Sequence, residues 1–379
     1  MTPPTCLGRV VIAAGGTGGH IFPALAVAQS LALRGIESHW VGSNRGLEAR
    51  VVRDQAGLPL TELSLAGLRG RGLAGALALP MGLLRSLIQS WKLVSQVRPA
   101  MVLVFGGYVS FPVGIVARLQ GYPLIVHEQN AVMGTANRWL ARLAQRVLTS
   151  FAQTRYAPHD AIAVGNPVRT GLAAQSPFER GFGQGRPLRV LVIGGSLGAR
   201  ALNQAMPKVW PHLVTAWPEG LSVWHQTGVA DEAGVREAYA QAEAGKLDSR
   251  VSAFIEDMAA AYAWADLVVC RAGASTVAEL AALGLPAVFV PLPGAIDDHQ
   301  TANARALVEL GAAFLVPQSA DLVQDLLAVL GQCTAQRLKT MAGAAQSLEA
   351  SQALDRFLDE LAAVWPALPR RPAGEEARA

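Results

Sequence analysis

Apolar residues occur in short unbroken runs, each closed by glycine or by polar residues. Arg9-Val-Val-Ile-Ala-Ala14, Met101 to Phe105 and Leu188 to Ile193 are rich in β-branched residues and do not alternate with polar positions. Such runs predict strands buried on both faces, as in a parallel sheet. Further strands are predicted at His39–Ser43, Leu60–Leu65, Leu124–Val126, Ser222–Gln226, Val251–Ile255, Leu267–Cys270 and Ala287–Val290. Between them lie stretches with helical patterning: after Pro23, around Ala201, Leu202 and Met206, after Asp257, and from Ser347 to a frayed tail past Pro366. Asn137 to Val147 is read as one more helix, with Arg138, Arg142 and Arg146 on a basic face. Strands alternating with helices make an α/β protein.

Two of the strand–helix junctions are alike. Gly15-Gly16-Thr17-Gly18-Gly19-His20 follows the first strand, and Gly194-Gly195-Ser196-Leu197-Gly198-Ala199 follows a strand halfway along the chain. Glycine permits sharp turns and close backbone approach, and the N–H groups of a following helix favour negative charge. Each loop therefore suits a phosphate or a developing oxyanion. Two such units predict two similar domains, joined through the Gly-, Pro-, Gln- and Ser-rich segment between about 166 and 187.

At 379 residues the chain is long enough for two domains with large cores, and 51% hydrophobic with 16% charged residues excludes a disordered protein. The longest uncharged run, Pro99 to Ala117, is interrupted by Gly106-Gly107 and Pro112 and reads as strand, loop and helix start rather than a membrane span. The N-terminus lacks the order of a signal peptide. Three scattered cysteines without metal-type spacing fit reduced thiols in a cytosol. A net charge of +4 with few aromatics argues against nucleic acid and leaves attraction to an anionic surface open.

Several strand exits carry candidate chemistry. Gly106-Gly107-Tyr108-Val109-Ser110 brings a second glycine pair to a strand's carboxyl end, where open α/β sheets bind ligands. His127-Glu128-Gln129-Asn130 directly follows a buried strand, and such polar residues must face a wet cleft or satisfy one another; the cleft is the favoured reading. Leu73 to Leu93 is apolar nearly all round yet holds Arg85 and Lys92, so it is either a buried helix or one whose basic residues meet lipid headgroups while leucines and Trp91 insert. Ser275 or Thr276 is a candidate cap for a helix that would hold Glu279 in its first turn. Neither glycine loop has the dinucleotide spacing, His39 to Ser43 supplies no carboxylate, and no Gly-Lys-Ser/Thr is present. NAD enzymes and P-loop NTPases are thereby disfavoured, and transfer from a nucleotide-linked donor fits better.

Taken in order, the two glycine loops with Gly67-Leu68-Arg69-Gly70-Arg71-Gly72, Phe105 to Ser110, His127 to Asn130, Gly165-Asn166-Pro167-Val168-Arg169 and Asp297-Asp298-His299-Gln300 resemble the MurG family of glycosyltransferases over nearly all of residues 9 to 350. The resemblance implies a GT-B fold, with two Rossmann-like parallel-sheet domains facing a cleft and a C-terminal helix crossing back to the first. It implies an acceptor- and membrane-facing domain over 1–168, a UDP-GlcNAc domain over 169–345, and a crossover helix and tail over 346–379. The implied reaction moves N-acetylglucosamine from UDP to undecaprenyl-pyrophosphoryl-N-acetylmuramoyl-pentapeptide with inversion, forming a β-1,4 bond at the cytoplasmic face of the bacterial inner membrane. The implied cellular setting is peptidoglycan synthesis, with its links to cell shape, division and other cell-wall proteins. Carried over by motif, Thr17, Gly18, Gly19, Asn130, Arg169, Ser196, Ile255, Ala274, Ser275, Thr276, Val277, Ala278, Glu279 and Gln300 contact the donor, while Tyr108 and Asn137 stand on the acceptor side. Ser196 would hold the pyrophosphate, Ile255 bracket uracil, and Glu279 accept from the ribose hydroxyls. His299 departs from the family's usual glutamine, and Arg71 stands where many relatives have lysine.

A single inverting displacement needs one base. His20, at a helix N-terminus whose dipole favours its neutral form, is the first candidate, and Glu128 is the rival. Without an Asp-x-Asp metal motif, backbone N–H groups, a helix N-terminus and Arg169 would neutralise departing UDP, so no tightly bound metal is expected. The alternatives are another GT-B enzyme, such as a UDP-sugar epimerase or glycolipid synthase, and a noncatalytic nucleotide-sugar-binding protein.

Overall fold

The computed structural model describes residues 8–43, 51–53, 56–63, 73–169, 172, 185–195, 198–213, 217, 219–242, 247–346 and 350–369. The Gly67–Gly72 motif, Ser64-Leu65, Ser196-Leu197 and most of the expected linker lie outside these residues. The chain forms two compact units, Met1–Thr170 with Gln352–Ala379, and Gly171–Ser351.

In unit 1 the order is β1 (Gly8–Ala14), α1 (Gly18–Ala32), β2 (Ile36–Ser43), β3 (Leu60–Leu63), α2 (Leu73–Val97), β4 (Met101–Gly106), α3 (Ser110–Leu119), β5 (Leu124–Glu128), α4 (Thr135–Ala141), β6 (Arg146–Thr149) and β7 (Ile162–Ala163). The strands make one parallel sheet in the order β3-β2-β1-β4-β5-β6-β7. Successive residues of β1 face opposite sides: Val10, Ile12 and Ala14 join one core cluster, and Val11 and Ala13 join another. That two-sided burial is why the strand reads as an uninterrupted apolar run.

Unit 2 contains β8 (Leu188–Ile193), α5 (Arg200–Leu213), β9 (Leu221–Gln226), α6 (Glu232–Ala242), β10 (Leu247–Ser252), α7 (Met258–Trp264), β11 (Leu267–Cys270), α8 (Ala274–Leu283), β12 (Ala287–Phe289), α9 (His299–Glu309), β13 (Ala313–Leu315), α10 (Leu322–Leu330) and α11 (Ala335–Gln346). Its strands form a second parallel sheet, β10-β9-β8-β11-β12-β13. In each sheet the strand order reverses beside the first strand of the unit, between β1 and β4 and between β8 and β11. Loops leaving two such strands diverge to opposite faces and open a crevice, the usual ligand position in open α/β sheets.

Local structure corrects several expectations. Helix α1 begins at Gly18, not after Pro23: His20 and Ile21 both donate to the Thr17 carbonyl at 3.0 and 3.2 Å, and the proline forgoes only the bond its N–H would give Gly19. The Asn137–Val147 helix is two elements. Gln145 N donates to Leu124 O at 2.8 Å, starting the pairing that draws Arg146 into β6 opposite Ile125. Strand β10 ends at Ser252, leaving Ile255 in a loop; as an edge strand with exposed Asp248 and Arg250 it lacks an apolar run. The loop after β12 tightens into a helical turn at Ile296–Asp298, where Asp297 and Asp298 both take left-handed φ of 53°, and Gln300 stands in α9.

The chain returns to unit 1 through α12 (Ala353–Val364). Phe357 stacks on Phe105 of β4 with ring centroids 5.6 Å apart and meets the edge of His127 of β5 at 5.4 Å. Leu358 and Leu361 are buried in the same cluster as α1. Phe357→Ala should therefore destabilise unit 1 by about 3–5 kcal/mol, the usual range for a buried aromatic, measured by denaturant unfolding. A loss under about 1 kcal/mol would show that α12 is not structurally coupled to the sheet.

Candidate active site

In unit 1 the Gly15–His20 loop and the Gly106-Gly107 pair meet at the β1–β4 reversal. Gly107 has φ +81°, and a β-carbon there would collide with the Gly15 carbonyl oxygen. At Gly106 the intruding β-carbon would lie 2.7 and 2.9 Å from Cδ2 and Nε2 of His20, so the imidazole rests directly on this backbone. Ser110 Oγ ties the loops together, lying within hydrogen-bond distance of both Gly106 O (2.7 Å) and Ala13 O (3.1 Å), either of which can accept its one proton. His20 lies in the first turn of α1, with Nδ1 3.2 Å from Thr17 Oγ1. When Nδ1 carries the proton and donates it to Thr17, Nε2 keeps the lone pair a base requires. Tyr108, just beyond the glycine pair, is 36% exposed.

The polar residues at the end of β5 centre on the Glu128 carboxylate, while Gln129 Oε1, Asn137 Oδ1 and His127 Nδ1 are buried without a hydrogen-bond partner. Glu128 Oε1 accepts from Asn130 N and Nδ2 at 3.0 Å each, and Oε2 accepts from Gly134 N and Asn137 Nδ2 at 2.9 Å each. Asn137 Nδ2 also lies 3.1 Å from His127 O. Burial raises the Glu128 pKa, opposed by these hydrogen bonds. His127 lies between Phe105 and Phe357, within hydrogen-bond distance of Gly165 O at 3.2 Å, and burial lowers its pKa to about 4. Four donors converge on the Glu128 carboxylate, so this member of the tetrad is held in a structural network. Its effect is to fix α4 and the Asn130–Gly134 turn next to Gly106. Arg169 stacks on Phe22 of α1, its guanidinium 4.5 Å from the ring centroid.

In unit 2 the loop after β8 is pressed against the end of β9: a β-carbon at Gly198, φ +78°, would collide with Thr227 O. Gln226 Nε2 reaches Gly195 O at 2.9 Å and Ala253 O at 3.3 Å, bracing the glycine loop against the loop that carries buried Ile255. Helix α8 starts at Gly273 rather than Ser275 or Thr276 and has no side-chain cap. Helix α7, by contrast, is capped by Asp257, whose carboxylate accepts from Ala260 N at 2.9 Å. The N-terminus of α8 thus carries no side-chain cap, and its positive dipole end is of the kind that holds anions. Glu279 is the sixth residue of α8, not in its first turn, and accepts a 2.8 Å hydrogen bond from Tyr262. Gln300 Oε1 accepts from Leu292 N at 2.9 Å, anchoring the loop after β12. Among the described residues no three His, Cys, Asp or Glu side chains come together to hold a metal ion.

A further relay in unit 2 escaped the sequence. Trp210 Nε1 donates to Tyr239 Oη at 3.1 Å, Tyr239 stands 3.0 Å from His225 Nδ1, and His225 Nε2 stands 3.1 Å from Asn203 Oδ1. Asn203 Nδ2 donates to Thr227 O (2.9 Å) and Asp231 Oδ2 (2.8 Å), so its Oδ1 must accept. That fixes His225 as the neutral Nε2–H tautomer and holds Thr227 where it shapes the glycine loop. The signal was the His225-Gln226 pair closing an apolar strand, the pattern that drew notice at His127.

The family comparisons agree with this geometry. Residues 10–149 match the Glycosyltransferase family 28 N-terminal domain, and 189–357 match its C-terminal domain. The chain is 49% identical over 373 residues to the UDP-N-acetylglucosamine--N-acetylmuramyl-(pentapeptide) pyrophosphoryl-undecaprenol N-acetylglucosamine transferase of Bordetella parapertussis, spanning 98% of this chain and 99% of that one. The chain belongs to the MurG family of glycosyltransferases. The Pseudomonas fluorescens member is 49% identical over 90% of this chain and 94% of its own. The crystal structure of Acinetobacter baumannii MurG superposes with a TM-score of 0.76 at 36% identity, covering 93% of this chain and 99% of that one.

For this MurG-family chain the buried relay predicts a pH response. Burial lowers the His225 pKa to about 3, below the ordinary 6.5, so between those values the unfolded state binds a proton that the folded state refuses. His225 thus contributes stability above pH 6.5 that is lost as pH falls toward 3, on the order of 5 kcal/mol across the window. Histidine NMR of the whole chain should find its ring neutral at pH 5; titration near 6.5 would contradict the relay.

Proposed function

We infer that this chain transfers N-acetylglucosamine from UDP-GlcNAc to the N-acetylmuramoyl unit of undecaprenyl-pyrophosphoryl-N-acetylmuramoyl-pentapeptide. The observation that carries the reading is near full-length identity to enzymes named for that transfer, 49% over 373 residues. The acceptor's 4-hydroxyl oxygen attacks the anomeric carbon as the bond to UDP breaks, and a single displacement inverts the α-linked donor into a β-1,4 product. His20 takes the hydroxyl proton on Nε2 while Thr17 holds Nδ1–H, and Glu128 acts through the network that positions Asn137 and Asn130. Unit 2 holds the donor: the Gly194–Ala199 loop with Ser196 and the α8 N-terminus take the diphosphate, Ile255 the base, Glu279 the ribose and Gln300 the sugar. Fixed N–H dipoles and Arg169 neutralise the departing UDP without a tightly bound metal.

The reading also places the enzyme on a membrane surface. Among the described residues no helix is long and apolar enough to cross a membrane. Yet Met81, Leu84, Ile88 and Trp91, spaced along one stripe of α2, are 48–56% exposed, with exposed Arg85 and Lys92 beside them. The opposite face buries Ser86, Ser90, Leu93 and Val94. Trp139 and Leu143 are exposed as well, and Arg142 stacks on Trp139 at 4.7 Å. An apolar stripe bordered by cations suits insertion at an anionic bilayer surface, here the cytoplasmic face of the inner membrane where the lipid-linked acceptor is presented.

Two measurements test these assignments. In a transfer assay with a short-chain acceptor, His20→Ala should lower kcat by about 10²–10⁴-fold with a far smaller rise in donor KM. Unchanged kcat would remove His20 as the base, and complete, reversible loss of wild-type activity in chelator would remove the metal-free account. Replacing Leu84 and Trp91 together by glutamate should weaken binding to phosphatidylglycerol vesicles at least about tenfold while leaving short-chain transfer near wild type. Undiminished vesicle binding would place the membrane contact elsewhere.

A further inference from the structure

The contact between Tyr262 and Glu279 links two parts of the donor site that the sequence keeps apart. Ile255 lies in the loop after β10, and that loop runs directly into α7, whose start is fixed by Asp257. Tyr262, seven positions after Ile255, is 1% exposed, and its hydroxyl donates to Glu279 Oε2 at 2.8 Å. Glu279 is 6% exposed and projects from α8, on the other side of β11 in sequence. A phenol held by core packing is a stiff donor. A carboxylate, in contrast, rotates readily about its terminal bond and offers about four acceptor positions.

We propose that Tyr262 is a positioning residue that sets the ribose specificity of the donor site. By holding Oε2 of Glu279 it fixes the carboxylate plane, so that the remaining acceptor positions are presented to the vicinal 2′- and 3′-hydroxyls of a ribonucleoside diphosphate. Because α7 continues the loop carrying Ile255, the same contact sets the distance between the groups assigned to the base and to the ribose. The chain then discriminates ribonucleoside from deoxyribonucleoside diphosphates through a residue that touches neither. This rests on Glu279 facing the ribose.

Calorimetry on the full chain tests it, with UDP and 2′,3′-dideoxy-UDP as ligands. Wild type should favour UDP by about tenfold or more, the scale of one hydrogen bond to a charged group. Tyr262→Phe should weaken UDP about tenfold while leaving dideoxy-UDP within about twofold, so that the preference collapses. In a Glu279→Ala background the same substitution should add no further loss, as expected when one residue acts through the other. Parallel weakening of both nucleotides, or an unchanged preference, would overturn the proposal and leave Tyr262 as packing. If wild type binds the two nucleotides alike, or Glu279→Ala leaves the preference intact, the ribose assignment itself fails and the proposal with it.

Discussion

Two backbone segments pass so closely at Gly107 and Gly15 that only a hydrogen fits between them, and the organisation of unit 1 follows from that approach. Strands β1 and β4 are neighbours whose exits diverge, and contact between the loops brings His20, Gly106 and Asn137 to one point. Unit 2 repeats the device with different partners, Gly198 lying against Thr227. In both, a buried hydrogen-bond network behind the loop holds the approaching strand end: Glu128 with Asn130, Gly134 and Asn137 in one, Asn203 with His225 and Asp231 in the other. Burying polar groups at such density costs least where they are paired, as at the Glu128 carboxylate and the Asn203 amide.

Asp257 caps α7 with its side chain, whereas Thr17 and Gly273, the N-cap residues of α1 and α8, make no side-chain cap hydrogen bond. Helix N-termini at the carboxyl ends of parallel strands are the chemistry that suits a diphosphate. The return of the chain through α12 then completes unit 1, with Phe357 covering His127 and Phe105.

Much of this was legible because buried parallel strands write themselves as unbroken apolar runs, and glycine loops after them mark the ligand end. What escaped was governed by partners distant in sequence. Strand β10 is an edge with alternating exposure, so its register came from β9 and not from its own pattern. Gly273 is the N-cap of α8 although Ser275 and Thr276 are better caps in isolation. The fate of Glu128 could not be read locally either: Asn137, nine residues on, had to be folded back by α4 before the carboxylate was saturated. Tyr262 gave no signal at all, because a tyrosine in an alanine-rich helix reads as core until its hydroxyl is seen at Glu279.

The most direct measurement is transfer of labelled N-acetylglucosamine from UDP-GlcNAc to a short-chain analogue of the lipid acceptor, with UDP-glucose and UDP-galactose competing, followed by NMR of the new glycosidic bond. Selective transfer of N-acetylglucosamine into a β-1,4 linkage is the result this account predicts. Binding of UDP-GlcNAc without transfer, or a product of retained α configuration, would contradict it.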